Sequence, residues 1–212
     1  MKKHIFPCAL ILLTIIAWII VWPKLPAEVP VHWGADDKVN NYASKQFSMI
    51  FDIGIMIFLY VVFTLVPRID PKKDNYEKFR KSVTIMSNAI LFVLFVMNMS
   101  ALLVGLGYDI PIGSVGGMIV GLLFLIIGNY LPQCKPNYFI GIRTPWTLSN
   151  EEVWRKTHRF SGKVFIVLGI MMCGSIFAPV TWRTYIILTA VLGGVVVTML
   201  YSYFAYKKEM RV

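Results

Sequence analysis

The amino-acid sequence predicts an all-α polytopic membrane protein with six transmembrane helices and both termini in the cytoplasm. Three observations carry this expectation. Of 212 residues, 57% are apolar and only 15% are charged, against roughly 25% charged in a soluble domain. Apolar runs of about 18 residues, long enough to cross a bilayer, recur along the chain. The Lys and Arg residues divide 17 to 4 between the two alternating sets of loops and tails, and the richer set faces the cytoplasm.

The first span is Ile5 to Trp22. The preceding MKKH has the look of a signal peptide, but the run is long for an h-region and no small-x-small cleavage site follows. A retained span is expected. The loop that follows, PKLPAEVPVHWGADDKVNNYASKQ, falls on the outer side. Pro23, Pro26 and Pro30 favour an extended or polyproline-like path at its start, and Gly34 to Asp37 reads as a turn. His32 and Trp33 are its candidate binding contacts. His32 with Asp36 and Asp37 lacks a second His or Cys, so no metal is predicted.

The second span, Phe47 to Val66, carries Asp52 about one and a half turns inside, where it either reaches the outer interface or lines a cavity. Intramembrane carboxylates are costly and mark candidate functional positions. The basic loop PRIDPKKDNYEKFRK suits anionic lipid headgroups by default, or an acidic protein partner. Span three, Val83 to Gly105, contains Asn88 and Asn98. Span four, Gly113 to Tyr130, contains Asn129. All three asparagines are expected to hydrogen-bond between helices. The third loop, GLGYDIPIG, is short and outward. Gly113, Gly116, Gly117 and Gly121 suit close helix packing.

Asn129 to Lys163 is the longest polar interval of the second half, with six of the 21 Lys and Arg residues and two of the six tryptophans. Gly141 is permissive and Pro145 fixes its own φ, so the segment opens as a constrained turn. Ser149 stands three residues before Glu152, fitting a capping box, so a helix starts near Asn150. Glu151 and Glu152 each precede a cation, Arg155 and Lys156, by four residues. The segment reads as an aromatic and cationic recognition surface or, more blandly, as a juxtamembrane helix whose Arg, Lys and Trp set topology. Its helix continues into span five, Val164 to Val180. A short turn around Thr181 and Trp182 joins it to span six, Thr184 to Tyr206. The chain divides into three segments: 1–67, 68–128 and 129–212.

The net charge of +10 does not indicate direct nucleic-acid binding, because the cations cluster at the ends of apolar runs rather than in one basic stripe. Cys8, Cys134 and Cys173 form no CxxC pair and fit no zinc pattern. HExxH, GxSxG, the P-loop and the dinucleotide fingerprint are absent. His158 lies two helical turns from Glu151, too far for a direct hydrogen bond. No catalytic residue and no cofactor is predicted, and an enzyme is disfavoured. One shallow carboxylate without an inverted repeat makes a thin transporter.

The block NYFIGIRTPWTLSNEEVWRKTHRFSGK resembles the hallmark segment of the SdpI family of bacterial membrane immunity proteins. Asn137, Gly141, Arg143, Thr144, Pro145, Trp146, Thr147, Leu148, Val153, Trp154, Arg159 and Phe160 match it in place. The first loop resembles the small domain of unknown function that precedes this segment in many members, through Leu25, Pro26, Pro30, His32, Trp33, Gly34 and Lys45. LGYDIPI at 106–112 is similar to the family's third loop. The resemblance implies a multi-pass protein of the bacterial plasma membrane that protects the cell against a secreted antimicrobial peptide of the cannibalism type. As in the family's type member, it also implies a receptor that holds a small winged-helix repressor of the ArsR type at the membrane. Asn137, Gly141, Arg143, Thr144, Pro145, Trp146, Trp154 and Arg159 are then the cytoplasmic binding residues, and His32 and Trp33 the outer ones. Expected partners are the peptide, the lipid bilayer and the repressor, with homo-oligomerisation left open. The alternatives are a small transporter or exporter of a peptide or amphiphile and, behind it, a membrane-embedded enzyme.

Overall fold

A computed structural model describes residues 2–210; Arg211, one of the cations counted in the C-terminal tail, lies outside them. Helix α1 spans Lys2–Val21 and a 3-10 turn, Trp22–Lys24, follows it. Pro23 falls inside that turn, and from Glu28 the first loop is extended, as β-strand rather than polyproline. It folds as an antiparallel hairpin of β1, Glu28–Trp33, and β2, Val39–Ser44. Gly34 N–H donates to the Lys38 carbonyl at 2.8 Å, and Asp37 takes a φ of 65° to close the turn. Asp tolerates that left-handed conformation better than most residues do. The proline-bearing strand is accommodated by register irregularities on either side of His32, as expected of a residue that cannot donate to a ladder.

Helix α2 is Lys45–Ile69, capped by the Ser44 hydroxyl, which accepts from Phe47 N–H at 3.3 Å. The short helix α3, Lys73–Tyr76, and a 3-10 turn, Glu77–Phe79, lead into α4, Arg80–Gly105. Helix α5 is Ile112–Tyr130, continued by a 3-10 turn over Leu131–Gln133. Helix α6 is Pro145–Ser149 and α7 is Glu151–Gly174. After a 3-10 turn, Ser175–Phe177, helix α8 occupies Val180–Glu209. Helices α1, α2, α4, α5, α7 and α8 are long and apolar enough to cross a membrane, so the protein is a multi-pass membrane protein. The turn between the last two spans falls at Ala178 and Pro179, because Pro179 stands at the N-cap of α8. Thr181 and Trp182 lie within the first turn of α8.

The helices define two ends. At the hairpin end, Gly113 N–H donates to Asp37 Oδ1 at 2.5 Å, tying the hairpin to α5. Arg183 donates to the Ala178 and Ile176 carbonyls at 3.1 and 3.2 Å and to the Ser114 hydroxyl. The motif end holds α3, α6 and the segment 131–144.

Two glycine pairs bring α5 against α7. A methyl group on Gly169 would meet the Gly121 carbonyl oxygen at 2.7 Å, and one on Gly162 would meet the Gly128 carbonyl oxygen at 2.7 Å. Each pair is seven residues from the other on its own helix, which keeps both on one face. Lipid tails are as apolar as leucine, so such contact between backbones is a main source of helix association in a membrane. Of the glycines expected to pack, Gly117 and Gly121 face α7 and its continuation, whereas Gly113 meets Asp37 and Gly116 meets Met97. Asn129 is exposed and bridges no helices among the described residues.

Gly128→Val and Gly169→Val are expected to lower stability by about 1–3 kcal/mol through overpacking. Thermal unfolding in detergent checks this. An added methyl on Gly193 would meet nothing within 4 Å, so Gly193→Ala supplies the control and should leave the transition unmoved.

Candidate functional site

The 131–163 segment folds into a small polar cap over the motif ends of α2, α5, α7 and α8. Helix α6 is short, and its start is held by reciprocal bonds. Thr147 N–H donates to Thr144 Oγ1 at 3.2 Å, and Thr144 N–H donates to Thr147 Oγ1 at 2.9 Å. Pro145 follows at the first helical position, where its missing N–H costs nothing. The capping box therefore belongs to Thr144 and Thr147. Helix α7 does start beside Asn150, but Asn150 itself is the cap: its Oδ1 accepts from Glu152 and Val153 N–H at 2.8 and 3.0 Å. Ser149 instead donates to the Trp146 carbonyl. A single acidic residue, Glu152, takes both cations, at 2.6 Å from Arg155 and 3.5 Å from Lys156. Lys156 also reaches Glu209 near the end of α8 at 2.5 Å.

Asn137 is the hub of this cap and is 1% exposed. Its Oδ1 accepts from Phe139 and Ile140 N–H at 2.9 and 2.6 Å, and its Nδ2 donates to the Lys135 and Ile140 carbonyls, both at 2.9 Å. Beside it lies Asp70, also 1% exposed, a carboxylate that ends α2 with no cation paired to it among the described residues. Dipoles hold it instead. Lys72 N–H donates to Oδ1 at 2.7 Å, while Tyr138 N–H and the Tyr76 hydroxyl donate to Oδ2, both at 2.9 Å. A buried carboxyl group of this kind is tolerable only when its lone pairs are occupied. Tyr76 Oη also lies 3.1 Å from Asn137 Oδ1, so α2, α3 and the motif share one network.

His158 completes the cap from α7. It is fully buried and stacks on Trp154 with ring centroids 4.1 Å apart. Ile142 N–H donates to Nε2 at 3.1 Å, so that nitrogen carries no proton, and Nδ1–H donates to the Trp154 carbonyl 2.8 Å away. These partners define a neutral imidazole of fixed tautomer. His158 is a structural latch. Gly141 passes directly over it at φ 112°, where an added methyl would collide with Nε2; both the conformation and the approach require glycine. Trp154 Nε1 donates to the Cys134 carbonyl at 2.9 Å. Burial pushes the Cys134 thiol up to about 12, which leaves it protonated and unreactive at neutral pH.

The candidate motif residues thus separate into two groups. Asn137, Thr144 and Trp154 are buried and build the cap, and Gly141 serves it through its backbone. Arg143, Pro145 and Arg159 are exposed. Arg143 donates to the Tyr138 carbonyl at 2.6 Å, next to the half-exposed rings of Tyr138 and Phe139. Trp146 lies edge-on to Tyr203 of α8 at 5.2 Å. Asp70, Tyr76, Thr147 as cap partner and His158 are not among the residues the sequence singles out for the site. The only signal for Asp70 is its place before Pro71, which reads as a turn.

At the hairpin end, a cavity of about 340 Å³ lies between β1, α1, α2 and α4. Trp33, Asp52 and Asn98 line it. His32 stays outside on the exposed face, with Nδ1 2.6 Å from Asn40 Oδ1. Asn98 of α4 turns its side-chain amide toward Asp52 of α2, while its carbonyl oxygen has no partner among the described residues. Asn88 lines a different cavity of about 320 Å³ at the motif end, together with Lys3, Arg68, Lys73 and Arg80. Of these cations, Arg68, Lys73 and Arg80 belong to the loop expected to meet anionic headgroups.

Asn137→Ala strands two buried N–H groups and should cost on the order of 3 kcal/mol, seen as earlier unfolding in denaturant. Cys134 should stay unmodified by N-ethylmaleimide at about pH 8 in the folded protein and react once unfolded, with mass spectrometry as the readout.

Comparison with known proteins matches residues 133–202 to the SdpI/YfhL protein family and residues 9–65 to a domain of unknown function, DUF1648. Immunity protein SdpI of Bacillus subtilis (strain 168) is 32% identical over 208 residues, covering 98% of each chain. No solved structure matches. The family segment takes in most of the 131–163 segment, α7 and most of α8, and the similarity to the bacillary protein runs from end to end: the chain belongs to the SdpI/YfhL protein family.

Proposed function

We propose that this chain is an immunity protein of a bacterial plasma membrane, protecting the cell against a secreted membrane-active peptide. The observation that carries this reading is its end-to-end similarity to a protein named for immunity. The 17 to 4 division of cations supports an orientation with both termini and the polar cap in the cytoplasm and the hairpin outside. In this orientation the hairpin, with Trp33 and His32, meets the peptide. The cap is a rigid, internally bonded platform that presents Arg143, Arg159, Tyr138 and Phe139 to a cytoplasmic partner. Arginine and aromatic side chains on a fixed scaffold are the usual anchors of protein contacts, and a winged-helix repressor of the ArsR type is the partner this reading names.

A second reading, export of the peptide or another amphiphile, draws on Asp52 in its membrane-embedded cavity. The two readings separate on energy coupling. Protection by export collapses with the proton gradient, and protection by binding persists.

Expression of this chain in a peptide-sensitive strain that lacks its own immunity gene should restore survival against the killing peptide. Arg143→Ala and Trp146→Ala should lower survival or abolish repressor recruitment while membrane abundance stays normal. Unchanged survival and recruitment in both variants would count against the cap as the functional surface.

A further inference from the structure

Burial normally obliges a polar group to find a partner, because an unmade hydrogen bond costs about 1–3 kcal/mol. Five buried side-chain atoms break that rule among the described residues, and three of them, Trp18 Nε1, Ser48 Oγ and Asn98 Oδ1, belong to residues lining the hairpin-end cavity. These residues are 1%, 5% and 7% exposed. The carboxylate of Asp52 lines the same cavity and has no cation beside it among the described residues. Ser48 and Asp52 are four residues apart on α2 and share a face. Asp52 lies seven residues from the hairpin end of α2, and Asn98 seven residues from the hairpin end of α4, so the two stand at about the same depth. The other two unpaired atoms, Thr157 Oγ1 and Ser161 Oγ, lie on α7 at the motif end, where the buried Asp70 accepts three hydrogen bonds.

We propose that this cavity binds the free ammonium group of an apolar peptide. An ammonium has three donors and no acceptor, and Asp52, Asn98 and Ser48, which line the cavity, each carry a side-chain oxygen that can accept. Trp18 Nε1 is a donor only, which suits the carbonyl beside a peptide amine. The remaining wall, including Val29, Met56 and Leu102, accepts an apolar side chain. A volume of about 340 Å³ is at the small end of ligand sites and holds a residue or two rather than a two-tailed lipid. Met97 of α4 and Trp33 of β1 also line it. This goes beyond the immunity reading and does not depend on it: an amine site can exist in a protein that protects against nothing.

The test uses the full chain in phosphatidylcholine nanodiscs, with leucyl-phenylalaninamide and its N-acetyl derivative as probes and calorimetry as the readout. The free amine should bind about tenfold more tightly than the acetylated form, the scale of one charge-assisted hydrogen bond. Asp52→Asn, nearly isosteric, should reduce that preference to less than about twofold while keeping the thermal transition of the parent protein. Trp18→Phe keeps an aromatic ring and removes the donor, and should weaken the free-amine peptide several-fold. Equal binding of the two probes, no binding of either, or a preference that survives in Asp52→Asn would overturn the proposal. So would displacement of the peptide when phosphatidylethanolamine is added to the nanodiscs, which would assign the cavity to a lipid headgroup. Survival assays in cells are separate from this measurement, so loss of protection and loss of amine binding are distinguishable.

Discussion

The contact between α5 and α7 through Gly121, Gly128, Gly162 and Gly169 is the constraint on which the rest of the structure depends. In lipid there is no water to drive helices together, so association rests on close packing and on polar contacts. The glycine pairs let the two backbones approach until each carbonyl oxygen lies where a side chain would otherwise be. That fixes the axial position of α7. Because α7 runs unbroken from Glu151 to Gly174, the same contact fixes His158 and Trp154, about one and two turns beyond Gly162. Those two side chains in turn hold Ile142 and Cys134, and the cap is seated.

Both ends of the molecule hold unpaired buried atoms, Thr157 Oγ1 and Ser161 Oγ on α7 at the motif end and three at the hairpin end, but the hairpin-end ones belong to residues that border a cavity. At the motif end, Asn137, Asp70, His158 and the threonine pair have their donors and acceptors occupied, chiefly by backbone groups. Such a network resists rearrangement, since loosening one member strands another in a low dielectric. At the hairpin end, Trp18, Ser48 and Asn98 carry unpaired atoms around a cavity of about 340 Å³. A satisfied network gives a fixed presenting surface, and an unsatisfied one leaves bonding capacity for something that arrives. Helices α2 and α4 contribute to both ends: α2 carries Asp52 and terminates at Asp70, while α4 carries Asn98 and bonds Gln133 through Ser82 at 2.8 Å.

The six spans are legible in the sequence because hydropathy over a whole span is a sum of many concordant residues, and a local exception cannot overturn it. The hairpin is not. VNNYAS has little β propensity, and Pro30 argues against a strand; only the pairing of the two segments, a long-range term, makes them strands. Ser149 and Glu152 have capping-box spacing, yet Asn150 lies nearer the α7 start and reaches its N–H groups directly, while Thr144 and Thr147 make the box one helix earlier. The motif residues are visible as a pattern, but their division into framework and surface is not. Asn137 and Arg143 are equally polar on paper, and only tertiary packing buries one and leaves the other out. Asp70 is concealed by its basic neighbours, although it is the buried carboxylate of the cap.

The length of α7 decides where that cap stands. Between Lys163 and the turn before α8, the apolar part of this element covers Val164 to Phe177. At helical rise that is roughly 22 Å, short of the hydrocarbon thickness of about 30 Å. A short apolar stretch is accommodated by local thinning of the bilayer or by flanking cations that snorkel to the headgroups. Lys163, exposed at the start of this apolar part, is placed to do this, with its aliphatic stem in the apolar layer and its charged end among phosphates. The cap is therefore drawn down onto the interface rather than held away from it. A protein that docked on Arg143 and its aromatic neighbours would lie against the lipid surface, and anionic headgroups as well as the cap would contribute to its retention.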